Sequence, residues 1–342
     1  MDAIALRQVG CQLALQKSFT QAKKCFHKAI EIDPDFAQAH FDLAYLYLLL
    51  GDYKQGFREF EWRLRIDDDL NRLYQAIYDP GKQWLGQNLE GKRILVYTEQ
   101  GIGDGLHFLR YLRYLKAKEA HIILHVHKPT IPLLEGHPWI DEMIAADITE
   151  IPSFPEYDYQ CSIMSLPWLL QQFSISGQPY ILPPSPSREF PPHSVGIVWA
   201  GTRSHVNDVN RSIPLEYFKS LDAHLYGMQV EPRPDVTTSL DYTDLSPEIH
   251  DLKDTAAFLE GLDLLICCDT AVAHLAGAIG TPCWLLLPYI PDWRWGLNNE
   301  TTPWYNSVRI FRQSRPGNWI DVFKLVSEEL NKVCNGYISL ET

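Results

Sequence analysis

The sequence predicts an α/β protein with two α/β units, preceded by an all-α segment. Three observations support this class. A helical pattern recurs near the start of the chain at a period of 34 residues. Two apolar, β-prone runs at 93–98 and 263–268 each lead into a helix, as in units built on parallel sheets. Between them, the segment 183–192 contains five prolines, which is typical of a linker, so we expect a ligand cleft between the two units.

The all-α segment, residues 1–75, has the spacing of tetratricopeptide repeats. The matching positions are Leu6, Val9, Gly10, Leu13, Ala22, Phe26, Ala29 and Pro34 in the first unit and His40, Leu43, Ala44, Tyr47, Gly56, Phe60 and Arg63 in the second. A generic pair of helical hairpins is the alternative. Because about three such repeats are needed to bury their shared apolar face, we expect these two to pack against the domain that follows.

The first α/β unit, residues 90–182, follows a connector at about 71–90 that is rich in aromatic residues and glycine. Within the unit we expect a strand at 93–98, a Gly-rich turn at 101–105, a helix at about 106–118 and a strand at 121–127. The linker 183–192 then leads into the second unit, residues 193–335.

Asp104 stands in the Gly-rich turn after the first strand. There it could act as a general base, while Gly101 and Gly103 let the backbone approach a ligand closely. A helix cap is the alternative role for Asp104. A Rossmann dinucleotide fingerprint is the competing interpretation of the glycines. It fits poorly, because Leu106 stands where the third glycine belongs and no acidic residue ends the next strand.

The second unit is predicted from periodicity and from helix-end signals. We expect a strand at 194–199, a polar loop at 202–212, a helix opened by Pro214, a strand near 225–230, a helix at about 254–261 capped by Asp254, and a final helix at about 318–333. The clearest βαβ unit has strands at 263–268 and 282–287 around a helix at 271–279 that ends at Gly280.

Asp269 and Thr270 stand where the strand 263–268 gives way to this helix. The free N–H groups and the dipole of a helix N-terminus favour an anion such as a diphosphate, and Asp269 can accept hydrogen bonds from sugar hydroxyls. His274 lies near the first turn of the same helix. The alternative is that Asp269 or Thr270 only caps the helix and that His274 is a core histidine.

The polar loop at 202–212 carries Thr202, Arg203 and Arg211. The two guanidinium groups could form charge-assisted hydrogen bonds to a diphosphate and stabilise a leaving group without a metal ion. Solvated surface arginines are the alternative.

Trp293 and Trp295 could stack on an acceptor, a sugar or a base, or pack against the last helix. His121, His125 and His127 share one face of a strand, but no carboxylate or cysteine accompanies them. We therefore expect no metal site and no cofactor.

Composition and charge limit the class of partner. The formal net charge of −13 repels phosphate backbones and anionic lipids, so we expect neither nucleic acid nor a membrane surface as a partner. No apolar run approaches the about 18 residues of a membrane span, and no signal-peptide pattern is present. The seven cysteines lack a C-x-x-C spacing, which predicts reduced thiols and a cytosolic setting.

With these residues assembled, the chain resembles glycosyltransferase family 9, the heptosyltransferase-like group, in the subset that carries N-terminal tetratricopeptide repeats. The resemblance extends over nearly the whole chain and rests on the segments 51–64, 99–104, 195–201, 210–214, 269–277 and 291–295. It implies a GT-B fold, in which two Rossmann-like lobes face each other. It also implies inverting, metal-independent transfer from a nucleotide-diphospho-sugar. A looser similarity to the O-linked N-acetylglucosamine transferases implies that the repeats present a protein acceptor.

The resemblance also implies roles for individual residues. It makes Asp104 the candidate base and places the nucleotide-sugar donor on the second lobe. It places Thr202 and Arg211 near the phosphates and Asp269, Thr270 and His274 at the donor. Our predicted donor-binding set also includes Gly101, Gly103, Arg203 and Gln229. A second hypothesis stays open, because the lobe at 90–182 is short for a GT-B lobe. In it, the protein is a non-catalytic interaction protein whose repeats bind a peptide and whose lobes only sense a nucleotide sugar. A nicotinamide-dependent enzyme is a third hypothesis.

Overall fold

The structure is a computed structural model that describes residues 1–66, 79–146, 153–231, 239–334 and 336. The predicted connector at 71–90 is therefore described only from residue 79. The last residues of the predicted segments 1–75 and 193–335 also lie outside the described part. Across the described ranges, no helix is long and apolar enough to cross a membrane.

Within residues 1–66, the described part of the repeat segment, there are four α-helices: α1 (Ala3–Leu15), α2 (Phe19–Ile32), α3 (Ala37–Leu49) and α4 (Tyr53–Phe60). They pack as two successive hairpins, as the repeat pattern predicts. The glycines of the pattern stand where two helices cross. A Cβ on Gly10 would lie 2.5 Å from the ring of Phe26, and a Cβ on Gly56 would lie 2.5 Å from the side chain of Leu48. A larger residue at either position would push the helices apart.

The first lobe contains a four-stranded parallel sheet in the order β3-β2-β1-β4. Its strands are β1 (Arg93–Tyr97), β2 (His121–His127), β3 (Glu142–Ala146) and β4 (Tyr159–Ser162), and its helices are α5 (Ile102–Phe108), α6 (Leu112–Lys116), α7 (Ile131–Leu134) and α8 (Leu166–Leu169). The strand order reverses direction between β1 and β4. A crevice therefore opens beyond the carboxyl ends of these two strands.

The second lobe contains a seven-stranded sheet in the order β10-β11-β9-β8-β5-β6-β7, parallel except for the short edge strand β10. Its strands are β5 (Ser194–Val198), β6 (His224–Gly227), β7 (Thr243–Asp244), β8 (Leu264–Cys268), β9 (Cys283–Leu287), β10 (Thr301–Thr302) and β11 (Tyr305–Arg312), and its helices are α9 (Asp208–Arg211), α10 (Leu252–Gly261), α11 (Ala271–Ile279) and α12 (Trp319–Cys334). Here the order reverses between β5 and β8. The elements that carry the predicted site residues leave the sheet at this point.

Helix α5 begins at Ile102 and not at about 106, so the predicted Gly-rich turn is in fact the first turn of a helix. The reason is a close contact between helices. A Cβ on Gly103 would lie 2.9 Å from Cδ2 of His274 and 3.3 Å from Cα of Ala271. Gly103 thus allows α5 of the first lobe to approach α11 of the second.

Two other expectations need correction. Helix α10 is capped by Asp251, whose carboxylate accepts hydrogen bonds from the N–H groups of Lys253 and Asp254 at 2.7 and 3.1 Å. Asp254 instead lies in the first turn. Strand β11 was not expected, because polar residues interrupt its apolar run. It forms because its residues from Val308 to Arg312 pair with the buried strand β9.

The repeat segment is joined to both lobes. The ring of Phe57 in α4 lies 5.9 Å from the ring of Trp293 in the second lobe and 6.2 Å from that of Phe108 in the first, measured between centroids. Behind these rings, Arg63 donates to Glu99 at 2.6 Å and to Ser165 at 2.9 Å. The support that two repeats need is therefore a core shared with the lobes.

Candidate active site

A cleft of about 630 Å³ lies where the two lobes meet, at the carboxyl ends of their parallel strands. Its lining includes most of the residues that the sequence singles out: Gly101, Gly103, Asp104, Thr202, Arg211, Gln229, Asp269, Thr270, His274 and Trp293. Arg203 and Trp295, both in the described part of the chain, lie outside this lining. The volume is in the range of pockets that hold cofactor-sized ligands, about 300–1,000 Å³.

Helix α11 presents its N-terminus to the cleft. Thr270 is the N-cap residue by its extended backbone, yet its side chain accepts no hydrogen bond from the helix. The Thr270 hydroxyl is buried and has no hydrogen-bond partner within the described ranges. The side-chain capping alternative is therefore wrong for Thr270. The first N–H groups of a helix have no intrahelical partners. Together with the Thr270 hydroxyl, they make the N-terminus of α11 a site that favours an anion.

Arg211 lies beside this helix end and belongs to the protein interior. Its Nη1 donates to the backbone carbonyl of Asp269 at 2.9 Å, and its side chain is only 11% exposed. Gly201 makes room for it, since a Cβ on Gly201 would lie 2.2 Å from Nη2 of Arg211. The solvated-arginine alternative is therefore wrong for Arg211.

The rest of the polar loop lies at the mouth of the cleft. Arg203 is exposed, and its backbone N–H donates to the carboxylate of Glu231 at 3.2 Å. Thr202 shares a hydrogen bond with Ser204 at 3.2 Å. Gln229 accepts a hydrogen bond from the N–H of Ala200 at 3.0 Å, which ties the end of β6 to the end of β5. These contacts shape the opening of the cleft.

Asp104 accepts two hydrogen bonds from the protein. The N–H of Gly101 donates to its Oδ2 at 3.0 Å, which makes Asp104 a helix cap. Arg294 donates from Nη2 to its Oδ1 at 2.5 Å. Because each carboxylate oxygen carries two lone pairs, these bonds leave Asp104 able to accept a further proton donor in the cleft. The capping role and the base role are compatible.

Arg294 and its neighbours Asp292, Tyr45 and Phe60 were not identified from the sequence as residues of the cleft. The Arg294 side chain is 6% exposed, and its Nη1 donates to Asp292 at 2.9 Å. The hydroxyl of Tyr45, in α3, donates to the other oxygen of Asp292. Phe60 of the repeat segment also lines the cleft. The available signal was the charged pair Asp292 and Arg294, which alternates with the two tryptophans in segment 291–295. Only the aromatic rings of that segment were considered from the sequence.

His274 is held on one side by the protein. Its Nδ1 lies 2.9 Å from the hydroxyl of Tyr305, which also lies 3.0 Å from Nδ1 of His107. The ring of Trp295 stacks on His274 with centroids 5.0 Å apart, so Trp295 packs inside the protein. Burial lowers the pKa of His274 well below its usual value, which keeps the imidazole neutral near pH 7.

Two carboxylates of the cleft have raised pKa values. Burial, together with the nearby carboxylate of Asp292, raises the pKa of Asp269 to about 7. Burial also raises the pKa of Asp104, although the positive charge of Arg294 opposes this shift. Asp269 is therefore partly protonated near neutral pH, which weakens its repulsion of an anion. Asp104 is a stronger base than an exposed aspartate.

Two family models match the chain. The tetratricopeptide repeat matches residues 25–56, which run from α2 into α4. Glycosyltransferase family 9 (heptosyltransferase) matches residues 227–318, which include α10, α11 and the segment 291–295. The second match therefore covers the Asp269, Thr270 and Arg294 side of the cleft.

Three individual proteins that the chain resembles are at most 27% identical to it. Protein FlbA of Caulobacter vibrioides is 27% identical over 83% of this chain and 53% of FlbA, so the chain spans about half the length of that relative. The E. coli ADP-heptose LPS heptosyltransferase II has a TM-score of 0.50 at 15% identity, over 72% of this chain and 99% of that one. A family 9 glycosyl transferase of Veillonella parvula has a TM-score of 0.49 at 15% identity, over 73% and 92%.

The fold and the cleft define a GT-B protein, with two Rossmann-like lobes that face each other, as predicted. More particularly, the chain joins a segment that matches the tetratricopeptide repeat to a second lobe that matches glycosyltransferase family 9 (heptosyltransferase) over residues 227–318.

Proposed function

We propose that the protein is an active glycosyltransferase that moves a hexosyl or heptosyl group from a nucleotide-diphospho-sugar to an acceptor hydroxyl, with inversion and without a metal ion. One arrangement carries the proposal. The unpartnered hydroxyl of Thr270 at the N-terminus of α11 and the carboxylate of Asp104 from the other lobe line the same cleft.

On the donor side, the diphosphate binds at the N-terminus of α11. The N–H groups of the first turn and the Thr270 hydroxyl donate to its oxygens, and Arg211 adds positive charge beside them. These groups stabilise the charge that grows on the departing nucleoside diphosphate, which is the task a metal ion performs in other transferases. Gln229 holds the neighbouring loop in place.

On the acceptor side, Asp104 takes the proton from the acceptor hydroxyl as the oxygen attacks the anomeric carbon. The new C–O bond forms on the face opposite the leaving group while the bond from the sugar to the diphosphate breaks, which inverts the configuration. General-base catalysis of this kind contributes about 10²–10⁴ in rate.

The repeat segment provides a surface for a protein or peptide partner, and we propose that the acceptor reaches the cleft past this segment. Tyr45 and Phe60 support the proposal, because both come from the repeat segment and line the cleft. The seven cysteines, all within the described ranges, are free thiols, which supports a cytosolic setting.

A two-stage experiment tests the proposal. The first stage screens UDP-, GDP-, ADP- and CMP-sugars by thermal shift, because a ligand that binds only the folded state raises its apparent stability. The second stage measures hydrolysis of the binding donor by wild type and by Asp104→Asn. The matched control is Asp254→Asn, since Asp254 accepts a backbone N–H bond from His250 at 2.9 Å in the first turn of α10, outside the cleft.

We expect Asp104→Asn to lose at least about a hundredfold in hydrolysis, while Asp254→Asn keeps wild-type activity. Absence of a thermal shift with every donor would contradict a nucleotide-sugar site. A clear shift with equal hydrolysis by wild type and Asp104→Asn would favour the non-catalytic sensor.

A further inference from the structure

A continuous chain of polar contacts links the repeat segment to Asp104. The Tyr45 hydroxyl in α3 donates to one oxygen of Asp292. The other oxygen of Asp292 accepts from Nη1 of Arg294 at 2.9 Å, and Nη2 of Arg294 donates to Asp104 at 2.5 Å. The chain thus crosses from the repeats through the second lobe to the first.

The charged side chains in this chain of contacts are largely buried, so each charge acts strongly on the next. The side chains of Arg294, Asp292 and Asp104 are 6%, 19% and 22% exposed, so water screens their charges weakly. Arg294 is shared between two carboxylates, and its position between them depends on how firmly each is held. The Asp292 carboxylate accepts a hydrogen bond from the backbone N–H of Arg294 at 3.0 Å and another from the hydroxyl of Tyr45 in the repeat segment.

We propose that Tyr45 is a positioning residue for Asp104, acting through Asp292 and Arg294. The inference rests on the proposed function, in which Asp104 is the base. With the Tyr45 hydroxyl in place, Asp292 stays in position to accept a hydrogen bond from Arg294, so the guanidinium is shared between Asp292 and Asp104. Asp104 then keeps enough proton affinity to take the proton of the acceptor hydroxyl. The repeat segment therefore sets the state of the base in addition to any role in binding a partner.

Other charged groups also face Asp104. Arg294 and Asp292 approach it from the second lobe, Glu99 from the end of β1, His127 from the end of β2, and His205 from the loop after β5. Tyr45→Phe keeps all of these side chains and removes only the hydroxyl that donates to Asp292. The path of direct hydrogen bonds from Tyr45 to Asp104 runs through Asp292 and Arg294.

The test compares Tyr45→Phe with Tyr47→Phe. Both tyrosines lie in α3, but the Tyr47 hydroxyl contacts His27 at 3.2 Å, outside the cleft. Loss of the Tyr45 hydroxyl lets Arg294 move towards Asp104, which favours the charged carboxylate and weakens the base. We expect kcat to fall about threefold to tenfold with an unchanged donor KM, and the acid limb of kcat/KM to move about half a pH unit lower. Tyr47→Phe should match wild type.

A second readout does not depend on activity. The Asp104 carboxyl carbon is titrated by NMR in wild type and Tyr45→Phe, with Asp104→Asn and Asp292→Asn to assign the signals. We expect Asp104 to titrate at lower pH in Tyr45→Phe. Identical Asp104 titration in the two proteins overturns the inference, even if wild type transfers sugar. If wild type transfers no sugar from any donor, the proposed function fails, and the titration still decides whether Tyr45 controls Asp104.

Discussion

The guanidinium of Arg63 and the carboxylate of Glu99 form an ion pair of 2.6 Å in which both side chains are almost completely buried. Arg63 follows the last repeat helix, and Glu99 follows β1. The pair lies at the carboxyl ends of β1 and β4, where Arg63 also contacts Ser162 of β4 at 3.2 Å. This is the crevice in which an open α/β sheet usually binds a ligand. The repeat segment fills it with one of its own side chains.

Arg63→Met should strongly destabilise the protein. The substitution leaves the Glu99 carboxylate buried without its counter-ion, and breaking a buried pair in this way costs about 3–5 kcal/mol in the free energy of unfolding. The control is Arg65→Met, because Arg65 is exposed and its distance to Asp35 is 3.6 Å. Arg65→Met should change stability by less than about 0.5 kcal/mol in urea unfolding. Equal losses in the two variants would contradict the role of the buried pair.

Thr270→Val should separate ligand binding from stability. The Thr270 hydroxyl has no partner among the described residues, so its removal should leave the free energy of unfolding unchanged or raise it. Donor affinity should fall about tenfold, which corresponds to one lost hydrogen bond. Calorimetric titration with the donor and urea unfolding measure the two quantities.

The control for this prediction is Thr255→Val. Thr255 is buried and donates to the carbonyl of Asp251 at 3.1 Å, outside the cleft. It should show the opposite pattern, with stability lower by about 1 kcal/mol and donor affinity unchanged. A Thr270→Val variant that binds donor as tightly as wild type would remove Thr270 from the site.

Gly103→Ala should weaken the contact between the lobes. Its Cβ would meet Cδ2 of His274 at 2.9 Å and the backbone of α11 at 3.3 Å. The overlap costs about 1–3 kcal/mol, whereas alanine in place of glycine contributes at most about 1 kcal/mol to helix stability. We expect a net loss in thermal stability and weaker donor binding. Gly81→Ala is the control, because Gly81 is exposed and its Cβ meets only the end of the Asp79 side chain, at 3.2 Å; a similar loss there would point to a general effect of glycine replacement.

Asp269 should make stability depend on pH. Its pKa in the folded protein is raised from 3.8 to about 7, first by burial and then by the carboxylate of Asp292. A raised carboxyl pKa stabilises the fold below the unfolded value, and this contribution is lost as pH rises through about 7. Relative to wild type, Asp269→Asn should therefore become more stable as pH rises from about 4 to about 8. Urea unfolding across this range measures the difference, and a constant difference would contradict the shift.

Local signals in the sequence were sufficient for much of the fold. Helix α11 has the predicted bounds, because a buried apolar strand precedes it and Gly280 takes the left-handed conformation, φ 96°, that ends it. The repeat helices follow from the 34-residue spacing, whose glycines mark helix crossings. In each case the residues that decide the structure are close in sequence.

The parts that could not be predicted depend on distant residues. Arg294 and Asp104 are 190 positions apart, and one sequence contains no information about such a pairing. The start of α5 was misplaced for a related reason. Gly103 looks like a turn residue in its local context, whereas its role is the contact with α11. Tyr45 gave no signal at all, since its hydroxyl acquires a partner only when the repeats dock on the second lobe.

The shared ring contacts of Phe57, Phe108 and Trp293 have a consequence for how such proteins evolve. In a repeat array each repeat contacts only its neighbours, so a repeat can in principle be added or removed without disturbing distant parts of the array. Here the second repeat supplies Tyr45 and Phe57, and the turn after it supplies Arg63, so this repeat is part of the structure that builds the cleft. Recombination that preserves the cleft has to keep the second repeat. The first repeat also contacts the second lobe, because the ammonium group of Lys17 lies 3.5 Å from the centre of the Tyr289 ring, so a new repeat in its place has to supply a similar contact.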